Sequence, residues 1–249
     1  MSYTPINQGI YPLFAIYIIL ILASSFLAIK MLIKWRQRKF DEPLYLSYVF
    51  ISFIFALTFL AIGAAETIIT GYFKEIYRIT FPLAYCCVVV ADIFLYNFAM
   101  NITEKGEKAL IPIIIIGLVL IVLLLLPWNW WGVPHEDYEG KINIRTYSTI
   151  SFAIYSIVIY ASIASISWKV KSQAKEKLTK WGLTFLFYAV LSMIMFFVMI
   201  SLDNILIVVF EHPGYSIFVY LGWVFAFLFV LFLYFSLVMS KWIAERLDR

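Results

Sequence analysis

Three carboxylates stand within or beside long apolar stretches, and they carry most of the chemistry this sequence offers. Asp92 lies in Tyr85-Cys86-Cys87-Val88-Val89-Val90-Ala91-Asp92-Ile93-Phe94-Leu95-Tyr96-Asn97. Glu66 sits in Gly63-Ala64-Ala65-Glu66-Thr67, and Asp203 is followed by Asn204 and an apolar run to Phe210. A charged side chain at the centre of a membrane helix costs about 2.5–3.5 kcal/mol on insertion scales, so such a residue faces protein or a water-filled space and pairs or titrates there. Helical spacing places Tyr85, Val89, Asp92 and Tyr96 on one face, which offers two phenol hydroxyls to the Asp92 carboxyl. The candidate ligand-binding or switch residues are therefore Asp92, Glu66, Tyr96, Asn97, Tyr85 and Asp203, joined by Trp223. Two roles compete for Asp92: a switch or proton-relay group, and a polar anchor that fixes helix packing. Glu66 either lines an outer crevice or reaches the headgroup layer. With Asp203 and Glu211 it would make one mouth of a bundle acidic, a field that Lys74 and Arg78 offset.

Several chemistries are excluded by residue type. A retinal protein needs a lysine within its last span, and GYSIFVYLGWVFAFLFVLFLYFSLVMS has none before Lys241. Membrane zinc hydrolases need several histidines inside the bundle, whereas His135 and His212 fall in loops. Paired haem-ligating histidines are missing for the same reason. No Gly-rich phosphate loop, nucleophile elbow or catalytic carboxylate pair appears. The reading is of a non-enzyme with no catalytic residue, metal site or cofactor. Cys86 and Cys87 are adjacent and are the only cysteines, so no disulfide framework is expected.

The elements that position these residues follow from composition. The chain has 249 residues, 64% hydrophobic and 14% charged. A soluble domain is nearer half apolar and a quarter charged, so an integral membrane protein is expected. About 20 apolar residues cross the hydrocarbon layer as a helix. Seven such spans can be drawn, at about 12–33, 44–69, 79–101, 109–127, 146–167, 181–203 and 214–240. Short connections make sequential spans antiparallel neighbours in a single all-α transmembrane domain over residues 1–249. The first residues lack the basic region of a cleavable signal, so the first span is expected to remain. Beyond Asp203 the apolar run is either a loop that dips back or a long, tilted helix.

Orientation follows from basic residues near span ends. Five lie after span 1 (Lys30 to Lys39), two after span 3 (Lys105, Lys108), five after span 5 (Lys169 to Lys180) and three in the tail, fifteen of the nineteen in the chain. The N-terminus is thus expected outside and the C-terminus inside, in a multi-pass cell-membrane protein. Trp35, Trp168, Trp181 and Trp242 fall at the inner boundary and Trp128, Trp130 and Trp131 at the outer, as an aromatic belt requires. Trp223 alone falls within a span. By this topology Asp92 lies about thirteen residues from the outer end of span 3, roughly 20 Å deep at 1.5 Å per residue. A stripe of small residues in span 5, Thr149, Ala153, Ala161 and Ser165, broken by Ile157, is expected to pack against a neighbour. The loop from Trp128 to Arg145, with its acidic run Glu136-Asp137-Tyr138-Glu139, either lids a pocket or caps the bundle.

The layout resembles the seven-helix N-terminal sensor region of prokaryotic histidine kinases. The resembling stretches are the basic KWRQRKF after span 1, the Ala-rich AIGAAETI that ends span 2, FLYNFAMNITEKGEK at the end of span 3 and the aromatic LPWNWWGVP that closes span 4. The resemblance implies a sensor module whose last helix leads to cytoplasmic signalling domains. The chain departs from that pattern, since it stops at Arg249, nine residues past span 7. A sensor of this form either signals through a separate cytoplasmic or membrane partner in response to an unidentified small molecule, or is a piece of a longer protein. The alternatives are a small-solute or proton-coupled transporter and a membrane scaffold or assembly subunit. Limited glycine and the near absence of mid-span proline argue for continuous helices and against a transporter's broken ones. The basic inner loops suit anionic lipid, each lysine contributing about 1 kcal/mol near a charged leaflet, and call for no nucleic acid.

Overall fold

The computed structural model describes residues 5–126, 146–210, 212 and 214–238. Among the described residues there are seven α-helices: α1 Ile10–Arg38, α2 Asp41–Thr70, α3 Glu75–Thr103, α4 Glu107–Leu124, α5 Thr146–Gln173, α6 Lys177–Phe210 and α7 Ile217–Val238. All seven are long and apolar enough to cross a membrane, and no strand occurs among the described residues. The expected all-helical, seven-span bundle is what the chain forms. The tryptophans and acidic run of 128–145, Glu211 and the basic tail from Lys241 lie outside the described residues.

Helix ends follow local chemistry. Pro12 and Pro43 both lie in first turns, where a missing N–H costs nothing because that donor has no intrahelical acceptor. Most of the helices overrun the predicted spans by several residues, whereas α4 ends at Leu124 and α7 begins at Ile217, each three residues inside its predicted limit. α1 carries Lys34 and Arg36 past the apolar run, and α5 continues through Trp168 and Lys171. Hydropathy marks only the hydrocarbon crossing, whereas the hydrogen-bonded helix continues into the headgroup layer. Lys34 shows the logic, since its Nζ donates to the Leu237 carbonyl at 2.9 Å and satisfies an end group of α7. After Asp203 the long-helix alternative holds: α6 runs unbroken through Asn204 to Phe210.

Sequential helices pack as neighbours, and α3 also meets α5 while α1 meets α7. Gly63 brings α2 close to α3, for a Cβ there would stand 2.5 Å from Thr80 Oγ1 and 3.1 Å from the Tyr77 Cα. The N-terminal segment ties this end together: the Ile6 amide donates to Gly71 O at 2.8 Å, and Tyr220 Oη donates to Gly9 O at 3.0 Å.

The small-residue stripe of α5 does not form a packed face throughout. Thr149 and Ala153 are half-buried, but Ala161 and Ser165 are exposed. An i, i+4 row advances about 40° per step on a helix of 3.6 residues per turn, so over four steps it swings nearly to the opposite side. The face that buries is instead Phe152, Tyr155, Ser156, Ile159, Tyr160 and Ile163. Opposite surfaces of the bundle are openly apolar, as on α4, where Ile111, Val119 and Val122 are all more than 60% exposed. Such surface is stable only against lipid.

Candidate functional site

Asp92 is fully buried. Its carboxyl is held from α5: Ser156 Oγ donates to Oδ2 at 2.6 Å, and Tyr160 Oη donates to Oδ1 at 2.5 Å. These two donors are one helical turn apart on the same face of α5. Immediately before Ser156 on α5, Tyr155 Oη donates to the Ile113 carbonyl of α4 at 3.0 Å. Gly117 makes room for it, since a Cβ there would stand 2.6 Å from that hydroxyl. The three hydroxyls on α5 thus bind α3 and α4 together in the heart of the bundle.

The expected partners of Asp92 are corrected by this geometry. Tyr85 does not reach it; its ring stacks on Phe152 of α5, with centroids 4.4 Å apart and planes at 12°. Tyr96 turns the other way and donates to the Gly106 carbonyl at 2.9 Å, closing the α3–α4 turn. Asn97 Nδ2 donates to the Ile93 carbonyl of its own helix at 3.3 Å. Residues on one helix face are neighbours on a surface, but a carboxyl pointing into a bundle finds its donors on the facing helix.

Glu66 also spends its carboxylate on structure. The amides of Ile76 and Tyr77 donate to Oε1 and Oε2 at 3.2 and 2.8 Å. These are the second and third residues of α3, whose own N-cap residue, Lys74, supplies no side-chain bond. Glu66, one turn from the end of α2, therefore caps the first turn of α3, where backbone N–H groups lack intrahelical acceptors and negative charge suits the helix dipole. Asp203 does the equivalent for α7. Its Oδ1 accepts the Ser216 amide at 2.9 Å, immediately before Ile217.

Above Asp92, toward the end of the bundle that holds the N-terminus, lies a cavity of about 190 Å³. Every helix except α4 contributes to its wall. Of the sequence candidates, Tyr85, Asp203 and Trp223 line it, whereas Asp92, Glu66, Tyr96 and Asn97 do not. Trp223 is held edge-on by two rings, Tyr17 of α1 at 4.8 Å and Phe196 of α6 at 5.3 Å. Phe152 and Phe197 also border the space and meet at 5.6 Å. Phe197 in turn lies 6.1 Å, centroid to centroid, from Tyr160, the donor to Asp92. Val88, another wall residue, precedes Asp92 by one helical turn. The carboxyl node therefore sits directly beneath the cavity floor, separated from it by one layer of side chains.

Polar groups are sparse in the wall and concentrate near the α6–α7 connection. Asp203, only 6% exposed, is the single acidic residue there, and no lysine, arginine or histidine lines the cavity among the described residues. On α5, Thr149 Oγ1 is buried at the wall without a hydrogen-bond partner among the described residues. Sequence reasoning missed Ser156, Tyr160, Tyr17 and Phe196, and read Thr149 only as part of a packing stripe. The pair Ser156 and Tyr160 left a trace, two hydroxyls at i, i+4 in an apolar span. The aromatic wall residues left none, because the spans are rich in aromatics throughout.

No family model, no curated protein and no solved structure matches this chain. The layout likeness to kinase sensor regions has no match beside it, and function is read from the site alone. No cluster of histidine, cysteine and acidic side chains suited to a metal ion occurs among the described residues.

Proposed function

We propose that the protein is a receptor-like membrane sensor, in which a small molecule bound in the aromatic cavity alters the packing of the Asp92 node and is felt at the opposite end of the bundle. The observation that carries this reading is the contiguity of cavity and node: Phe197 lines one and touches Tyr160, which holds the other. Tyr160 and Ser156 join α3 to α5, and both helices run on to the connections that display Lys105 and the lysines from Lys169 to Lys180. Those exposed basic turns are the proposed output surface, for anionic lipid or for a separate signalling partner. The orientation that goes with it has the cavity facing outside and the basic turns in the cytoplasm of a cell-membrane protein. Unbroken helices favour a sensor over a carrier, which as a rule carries interrupted helices at its site.

A thermal-stability screen of the purified protein against amines, amino acids, metabolites and lipids tests the reading. A bound compound at 100 times its Kd stabilises by about 2.7 kcal/mol, and Trp223→Ala is expected to abolish that shift. The same compound should bind to proteoliposomes saturably without accumulating inside them. Accumulation or counterflow would replace the sensor with a carrier.

A further inference from the structure

The wall of the cavity specifies more than a volume. It has a carboxylate at one end, aromatic faces along its length and no basic residue to neutralise the carboxylate, among the described residues. Along α6 the wall residues Asp203, Ile200, Phe196 and Met193 recur at helical spacing, so the apolar part extends about 15 Å from the carboxylate at 1.5 Å per residue. Asp203 is held in place by its bond from the Ser216 amide, and Tyr215 stands beside it in the same wall. The Phe152–Phe197 contact between antiparallel helices sets Thr149 level with Ile200, within a turn of Asp203. Its unpartnered hydroxyl therefore belongs to the polar end of the cavity. A buried hydroxyl without a partner costs about 1–3 kcal/mol, a cost that a ligand hydrogen bond at this position would offset. The ring of Tyr215, beside Asp203, attracts positive charge through its quadrupole, most strongly where water is excluded.

We propose that the cavity takes an amphipathic organic monocation: an ammonium group at Asp203 and Thr149, and a ring or short apolar chain extending down α6 toward Phe196 and Trp223. This rests on the reading of the cavity as a ligand site and gives that site its chemical class. The volume sets the size. A cavity of about 150 Å³ holds a single benzene ring, so 190 Å³ suits one ring with a short tether. A bare metal cation or a polar zwitterion would leave the lower wall dry and unmatched. An anion would face Asp203 with no basic residue among the described ones to meet it.

Phenylbutylamine, phenylbutanol and phenylbutyrate share one body and differ in charge, so their binding to the nanodisc-embedded protein tests the proposal directly. One charge-assisted hydrogen bond contributes about 1.5–3 kcal/mol, so the amine is expected to bind at least about tenfold tighter than the alcohol, and the acid weakest. In Asp203→Asn the amide oxygen still accepts the Ser216 amide, so the helix cap survives. That variant should bind the alcohol as before and lose the preference for the amine. The wild-type ratio alone decides the matter should the variant fold poorly. Equal binding of the three, abolished by the plugging substitution Ala226→Trp, would overturn the cation assignment and leave the ligand site standing. Binding of none of them at millimolar concentration would overturn both.

Discussion

At the residue scale the Asp92 node is defined by two hydroxyl donors, and its response to substitution tells anchor from switch. Asparagine at this position keeps an acceptor for one hydroxyl and offers its NH2 to the oxygen of the other, with nearly the same shape. Alanine leaves both hydroxyls buried and unpaired and opens a void. Interhelical hydrogen bonds in membrane proteins average about 0.6 kcal/mol and reach about 1.7, whereas truncating a buried side chain costs about 2–5 kcal/mol. The expected order of thermal stability is therefore wild type, then Tyr160→Phe and Asp92→Asn within about 1.7 kcal/mol, with Asp92→Ala well below. Should Asp92→Asn fall as far as Asp92→Ala, the charge itself is required, and the packing account of the node fails. The carboxyl was legible in the sequence because one acid in an apolar span stands out. Its partners were not. Spacing reports only neighbours on the same helix, here Tyr85 and Tyr96, and both are engaged elsewhere.

At the scale of elements, the α2–α3 pair shows how a carboxylate near a span end can be structural. Glu66 bridges two amides of α3 from the last turns of α2, and Gly63, nearly one turn earlier, lets the helices approach. Losing an N-cap acceptor costs about 0.5–2 kcal/mol. Glu66→Ala is accordingly expected to destabilise by about that much and to raise hydrogen exchange at the amides of Ile76 and Tyr77. Glu66→Gln, which retains an oxygen acceptor, should lose less. Unchanged exchange at those two amides in Glu66→Ala would free Glu66 for the crevice role. Existence and number of helices were readable, since hydropathy and length decide both. Their ends were misjudged by up to seven residues: at the C-terminus of α6 the apolar run after Asn204 continues the helix, and at α5 the polar turns past the hydrocarbon remain helical. The small-residue stripe of α5 misled for a geometric reason: contiguity at i, i+4 describes a slanting ridge, and only its first half meets neighbours.

At the scale of the whole molecule the two ends of the bundle differ in kind. One end has the cavity, with Lys74 and Arg78 as its nearby basic residues among those described, and Arg78 is paired with Glu75 at 3.1 Å. The other carries the turns rich in lysine, with Lys169, Lys175 and Lys180 exposed. Retention of basic residues on the cytoplasmic side is a bias of insertion, so it acts on the chain before the cavity exists, and the two asymmetries are independent. In the proposed orientation, their coincidence decides what the proposed sensor would sample. With the basic turns inside, the cavity opens to the exterior half of the membrane and the ligand arrives from outside. Single cysteines at Tyr72, an exposed position on the α2–α3 turn, and at Lys175, on the α5–α6 turn, read the orientation in a background free of Cys86 and Cys87. An impermeant maleimide applied to intact cells is expected to label Tyr72→Cys and to reach Lys175→Cys only after permeabilisation. The reverse pattern would turn the cavity toward the cytoplasm. The bundle and its node would be unaffected, but the ligand would be a cellular compound, and the basic turns could no longer serve as a cytoplasmic output surface.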